Sequence, residues 1–118
     1  MQKLFSNLAT DSLLRKLRIS DINLSNSKVF QSVKSAVAAS NVQLLDLSAC
    51  SFTNRQIEDL GEILAEGCAI ESLNLGYNAL TRKTKEEQAS IDKFVGYIVQ
   101  FIQDNLLLTH LNLQGMSL

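Results

Sequence analysis

The sequence predicts an α/β fold, with short parallel strands on one face and helices on the other, wound as a right-handed solenoid. One spacing of mostly apolar residues recurs four times along the 118 residues. Amphipathic helical patterns fill the intervals between the copies. Each copy is too short to bury its apolar side chains alone, so neighbouring copies must stack on one another. We therefore expect a single domain over residues 1–118.

The strands are predicted from the recurring segment, in which five marked positions of each copy follow one another in steps of 3, 2, 3 and 2 residues. The copies begin near residues 14, 42, 70 and 108, at offsets of 28, 28 and 38 residues. Alternate residues of a strand face opposite sides, which predicts strands at 17–19, 45–47, 73–75 and 111–113. The predicted inward pairs are Leu17 with Ile19, Leu45 with Leu47, Leu73 with Leu75, and Leu111 with Leu113.

Helices are predicted at 27–40, 54–66 and about 91–104, where apolar residues follow helical spacing. Thr53 and Gln56 match a capping box at the start of the second helix. Gly67 and Asn105 follow the second and third helices, and both residue types tolerate a left-handed C-terminal cap.

The third interval contains ten extra residues at about 81–90, with the sequence TRKTKEEQAS. Insertions in solenoids fall on one face and in some cases bind a partner. Thr84 and Glu87 match a second capping box, which favours an earlier helix start after a short loop.

The recurring segments, LRKLRISDINL, VQLLDLSACSF, IESLNLGYNAL and LTHLNLQGMSL, resemble leucine-rich repeats. The period of 28 residues is similar to that of the ribonuclease-inhibitor-like subclass, and it implies one strand and one helix per repeat. The family prefers Asn or Cys at the fourth marked position, where Cys50 and Asn78 comply and Ile22 and Met116 depart. The resemblance implies strands on the concave face, helices on the convex face, and a partial repeat at 1–13.

Composition excludes several classes of function. The chain has 11 basic and 12 acidic residues, without the basic excess of a nucleic-acid-binding protein. It contains no apolar run of membrane-spanning length and no signal-peptide core, so we expect neither membrane association nor secretion by that route. Cys50 and Cys68 are expected to be reduced, buried thiols, with a disulfide between them as the alternative. These features favour the cytoplasm or, for a bacterial effector, a host cytosol.

We identify no catalytic residue, metal ligand or cofactor motif. His110 is predicted to be an ordinary residue on the outward face of the last strand. Glu58, Asp59, Glu62 and Glu66 are predicted to form a solvated acidic face on a helix. Lys34 and Glu62 lie one period apart, so we expect them side by side on adjacent helices.

The predicted function is that of a non-enzymatic interaction module that binds a protein through its concave strand face. Tyr77 is the best anchor candidate, because interface energy concentrates in aromatic residues and Arg. The predicted partner-binding residues are Arg18, Asp46, Asn74, Tyr77, His110 and Asn112. The alternative is a GTPase-activating or other enzyme-regulating leucine-rich-repeat protein.

The last strand motif, at 108–118, has neither a helix behind it nor a fifth copy beside it. A strand edge of this kind recruits another strand. We therefore expect either a fragment of a longer solenoid or self-association through this end.

Overall fold

The computed structural model of the chain describes residues 15–39, 42–67 and 69–118. The expected partial repeat at 1–13, Leu14 and Cys68 lie outside the described residues. In chain order the elements are β1 (Lys16–Arg18), α1 (Ser27–Ala39), β2 (Leu44–Asp46), α2 (Asn54–Ala65), β3 (Ser72–Asn74), α3 (Lys85–Asp104) and β4 (His110–Asn112).

The four strands form one parallel sheet in the order β1, β2, β3, β4. Leu17 pairs with Leu45, Leu45 with Leu73, and Leu73 with Leu111. These offsets match those of the recurring segment, so the predicted parallel order and register are confirmed.

Each strand begins and ends one residue earlier than predicted. Ile19, Leu47 and Leu75 lie just beyond their strands but still donate their amides to the next one. Their acceptors are the carbonyl oxygens of Asp46 (2.8 Å), Asn74 (2.9 Å) and Asn112 (3.0 Å), respectively. The difference is therefore one of element boundaries, which shift easily by one residue.

The core lies between the sheet and the helices, and the first three inward leucines of the strands, Leu17, Leu45 and Leu73, are buried in it. The fourth copy differs from the prediction, because Leu111 is 37% exposed and Leu113 is only half-buried. β1 is also an edge strand, yet its Leu17 is buried; the difference is that α1 follows β1, whereas within the described residues no helix follows β4.

The helices begin with the predicted caps. In α2 the Thr53 hydroxyl accepts from the amide of Gln56 (3.2 Å), whose side chain accepts from the Thr53 amide (3.0 Å). Thr84 and Glu87 form the same box with two bonds of 3.1 Å. The ten extra residues therefore form a short loop followed by added turns of α3, which begins six residues before the predicted position 91.

The two predicted helix ends have different outcomes. Gly67 has a φ of 116°, the left-handed conformation expected after α2. Asn105 is extended, with a φ of −103°, so a left-handed cap there is wrong. Its side chain donates to the carbonyl oxygen of Ile70 (2.7 Å) and accepts from the Leu107 amide (3.0 Å), which satisfies backbone groups without a left-handed residue.

Among the described helices, none has the combined length and apolar content that crossing a membrane requires.

Candidate functional site

One face of the sheet is not covered by the helices. We call it the open sheet face and define it by the strand side chains that point away from the core. Pairing aligns them in two rows: Lys16, Leu44, Ser72 and His110, then Arg18, Asp46, Asn74 and Asn112. All eight are exposed or half-buried. The face therefore presents mixed charged, amide and aliphatic groups at regular strand spacing.

Three of the predicted binding residues also terminate their strands. Asp46, Asn74 and Asn112 each accept, at Oδ1, a hydrogen bond from the amide two residues later, at 2.9 to 3.0 Å. This is an Asx turn, in which a short polar side chain replaces a backbone acceptor. Within the described residues, their other side-chain polar atom has no hydrogen-bond partner. Each side chain is thus held in place while one polar atom stays free for a ligand.

Asn78 is fully buried and forms hydrogen bonds to the turns that follow the strands. Its Oδ1 accepts from the amides of Cys50 (3.0 Å) and Phe52 (3.4 Å). Its Nδ2 donates to the carbonyl oxygens of Leu47 and Leu75, both at 2.9 Å. Asn78 therefore joins two successive turns.

Cys50 fills the equivalent position one period earlier. It is a free, buried thiol, as expected, and its Sγ donates to the carbonyl oxygen of Ile19 at 3.1 Å. Burial raises the pKa of the Cys50 thiol to about 11, and the carboxylates of Asp46 and Asp21 also raise it. Ile22, the equivalent residue of the first copy, has no such donor and is 41% exposed.

Tyr77 stands on a turn whose conformation recurs in all four copies. The left-handed positions are Asp21, Ala49, Tyr77 and Gly115, with φ between 52° and 75°. A Cβ on Gly115 would lie 2.6 Å from Cδ1 of Tyr77, so the ring rests directly on this glycine. Gly115 therefore serves two needs, a positive φ and room for the ring. The Tyr77 side chain is held in place yet 56% exposed.

Arg18 and His110 lie on the first and last strands of the open sheet face, and both are exposed. The Thr109 hydroxyl donates to the Glu71 carbonyl oxygen (3.0 Å), so its oxygen accepts from Nδ1 of His110 (2.9 Å). This assignment leaves Nε2 of neutral His110 as an acceptor toward solvent. The structure therefore places five of the six predicted residues on this face and Tyr77 on the adjoining turn.

The acidic residues of α2 differ from the expected solvated face. Glu62 and Glu66 are exposed, but Glu58 is 6% exposed and lines a groove between α2 and α3. The apolar spacing of α2 does not predict this burial. The available signal was Gly61, which lies on the same side of α2 as Glu58 and allows α3 to approach closely.

Lys34 and Glu62 lie on adjacent helices, as expected, and line the same groove of about 270 Å³ between α1 and α2. They make no ion pair with each other. The ion pair found in the described part of the chain joins Arg55 and Asp59, at 3.5 Å within α2.

Partial burial raises the pKa of the Tyr97 phenol on α3, and the carboxylates of Glu62 and Glu58 raise it further.

Comparison with known proteins finds no family model that matches the chain, and no curated protein or solved structure matches it.

Proposed function

We propose that the chain is a right-handed leucine-rich-repeat solenoid of the ribonuclease-inhibitor-like subclass, and that it binds a protein partner without catalysing a reaction. The parallel sheet repeats with the period of the sequence motif, and the left-handed turn recurs in every copy. Right-handed connections between parallel strands are the general rule. In this proposal the open sheet face is the concave surface.

The observation that carries the proposed function is the double row of uncovered side chains on this face. A protein interface needs polar groups at fixed positions around a few well-packed anchors. The Asx turns of Asp46, Asn74 and Asn112 hold three such groups in one row, next to Arg18. Because these side chains are already ordered, a partner loses little of its binding energy in immobilising them.

Tyr77 is the proposed anchor at the margin of the face. Its ring is supported by Gly115 and remains more than half exposed. Aromatic side chains provide a large contact area and lose few rotamers on binding, so one such residue can supply much of the binding free energy.

The test begins with covalent capture, using a photo-crosslinker placed at Ser72 in the centre of the open sheet face. The captured protein is then purified and titrated against variants. The double variant Tyr77→Ala with Arg18→Ala should lose more than about tenfold in affinity. Glu62→Ala, on the helical side, is the matched control and should bind like the parent chain.

Equal losses from the double variant and from Glu62→Ala would overturn the assignment of the binding face. A GTP-hydrolysis assay with a panel of small GTPases tests the enzyme-regulating alternative. The proposed function predicts no acceleration of hydrolysis, and acceleration would favour the enzyme-regulating alternative.

A further inference from the structure

The two rows of the open sheet face carry more positive than negative charge. They contain two cations, Lys16 and Arg18, and one carboxylate, Asp46. The whole chain has a formal net charge of −1, so the positive excess belongs to this face and not to the molecule. A partner that is electrostatically complementary to the face supplies negative charge.

Both cations stand on β1 without a partner. Only Leu17 separates Lys16 from Arg18, so their side chains point to the same side of the sheet, and both are exposed. Arg18 is paired in register with Asp46 on β2, yet neither cation forms an ion pair among the described residues. Their charges are therefore available to a ligand.

The carboxylate of Asp46 is already engaged within the chain. Its Oδ1 accepts from the Ser48 amide at 3.0 Å and from the Ser48 hydroxyl at 2.7 Å. These two donors offset part of its negative charge, so it opposes an anionic ligand less than a free carboxylate would.

Asn74 and Asn112 add two donors whose direction is fixed. Each uses Oδ1 to accept the amide of its Asx turn at 2.9 Å, so the free end of each side chain is the Nδ2 group with its two hydrogens. A Cβ on Gly76 would lie 3.1 Å from Oδ1 of Asn74 and 3.3 Å from Oδ1 of Asn112. Both carboxamides therefore lie against this glycine, side by side on β3 and β4.

On the basis of the function proposed above, we propose that the partner segment bound on the open sheet face is acidic. One of its carboxylates accepts from Nδ2 of both Asn74 and Asn112, and a second lies beside Lys16 and Arg18. A carboxylate has two oxygens and accepts from two neighbouring donors at once, and such charge-assisted bonds are the strong ones.

The distance between the two groups of donors sets the spacing of the acidic residues. β1 is separated from the β3–β4 pair by two to three strand spacings, about 10 to 14 Å. An extended segment rises about 3.3 Å per residue, so two acidic residues four positions apart span this distance on the same side of the segment. A nucleic-acid backbone, with its continuous line of charge, fits less well, because Asp46 lies between the two groups of donors.

The experiment is an NMR titration of the ¹⁵N-labelled chain with the peptide acetyl-Glu-Gly-Ser-Gly-Glu-amide, called here the Glu peptide. The Gln peptide, in which Gln replaces both Glu residues, has nearly the same shape and no charge. Saturable shifts in the side-chain NH₂ signals of Asn74 and Asn112 are expected at millimolar concentrations of the Glu peptide. The Gln peptide should leave these signals unchanged.

The decisive variant is Asn74→Asp with Asn112→Asp, called here the double Asp variant. It keeps Oδ1 for both Asx turns and replaces each Nδ2 donor with a charged oxygen, and Asp46 shows that Asp forms this turn in the preceding copy. It should bind the Glu peptide more than about tenfold more weakly, the worth of one lost charge-assisted bond. Arg18→Gln should also weaken binding, whereas Lys85→Gln, which removes an exposed cation from α3, is the matched control and should not.

Three results overturn the proposal. The first is an equal response to the two peptides, including no response to either, which needs no variant to be measured. The second is an unchanged affinity of the double Asp variant for the Glu peptide. The third is tighter binding of a single-stranded oligothymidylate with shifts in the same signals, which would assign the face to a nucleic acid.

The captured partner separates this proposal from the proposed function. Loss of affinity for it in Tyr77→Ala with Arg18→Ala, but not in the double Asp variant, would keep the open sheet face as the binding surface and reject the acidic segment. Loss in the double Asp variant as well supports both.

Discussion

Asn78 shows at the scale of a single residue how the turns depend on buried hydrogen bonds. It satisfies backbone groups of two successive turns from a fully buried position. Asn78→Ala removes these bonds and leaves buried backbone groups unpaired, each at about 1–3 kcal/mol. We expect the free energy of unfolding to fall by about 3 kcal/mol or more, measured by urea denaturation.

The matched control is Asn112→Ala, which removes a single Asx bond to the amide of Gln114. That amide is exposed and can bind water instead, so the expected loss is about 1 kcal/mol or less. Equal losses from the two variants would show that the network of Asn78 does not hold the turns.

The raised pKa of the Cys50 thiol predicts that the free energy of unfolding depends on pH in the alkaline range. Its pKa is raised from 9.0 to about 11 by burial, so the folded state keeps the proton that the unfolded state releases. The stabilisation is complete below the unfolded pKa near 9 and is lost as the pH rises through about 11. We expect the stability difference between the parent chain and Cys50→Ala to shrink over this window.

Measurements of unfolding at several pH values in a Cys68→Ser background would isolate this thiol. In the same background, Cys50 should react with a thiol reagent only as fast as the protein opens. A stability difference that stays constant between pH 9 and 11 would contradict the assignment, since the titration would then be the same in both states.

At the scale of elements, the contact between α2 and α3 depends on a glycine. A Cβ on Gly61 would lie 2.9 Å from Cδ1 of Phe94 and 3.3 Å from Cβ of Tyr97. Gly96, on α3, has nothing within 4 Å of the same position. The two glycines therefore separate helix propensity from packing.

Gly96→Ala should raise the free energy of unfolding by about 0.5–1 kcal/mol, because alanine favours the helix. Gly61→Ala should lower it by about 1–3 kcal/mol, because the overpacking outweighs the same gain in propensity. Thermal unfolding monitored by circular dichroism measures both. A gain in both variants would mean that α2 and α3 are not in close contact at Gly61.

Much of this architecture could be predicted from the sequence, because the signals are local and periodic. The spacing around Leu45 and Leu73 predicts the parallel register, and Thr53 and Thr84 predict the helix starts. The burial of Glu58 could not be predicted in the same way. It depends on how closely α3 approaches α2, which is a tertiary contact rather than a local pattern.

The predicted binding residues show the same division. Sequence alternation placed Asp46, Asn74 and Asn112 on one face, and the register of the sheet confirms that they form a row. The alternation does not predict that each of them accepts a hydrogen bond from the amide two residues later. Short polar residues at strand ends commonly make such bonds.

At the scale of the whole molecule, each strand segment donates to the next through the same backbone groups. The amides of Ala49 and Tyr77 donate to the carbonyl oxygens of Gly76 (2.9 Å) and Gln114 (2.7 Å). The equivalent groups beyond β4 are the amides of Leu113 and Gly115, which have no acceptor within the described residues. The edge of β4 is therefore a regular template for one more strand.

Apolar side chains accompany this edge. Leu106 is 94% exposed, and the other exposed apolar residues of α3 and the β4 region are Val95, Val99, Ile102, Leu107, Leu111 and Leu118. An exposed edge with a neighbouring apolar patch is typical of an association surface. A second copy related by a two-fold axis would pair β4 with β4 and cover both patches at once.

We therefore expect the 118-residue chain to form a dimer at micromolar concentration, measured by sedimentation equilibrium. Leu111→Lys places a charge at the β4 pair and should shift the equilibrium to the monomer, because a buried unpaired charge is costly. Ile22→Lys changes an exposed apolar residue near β1 and should leave the dimer intact, since the two-fold arrangement does not use that edge. Loss of association in both variants would indicate head-to-tail stacking of β4 on β1. A monomeric parent chain whose Leu113 and Gly115 amides resist hydrogen exchange would contradict the open edge itself.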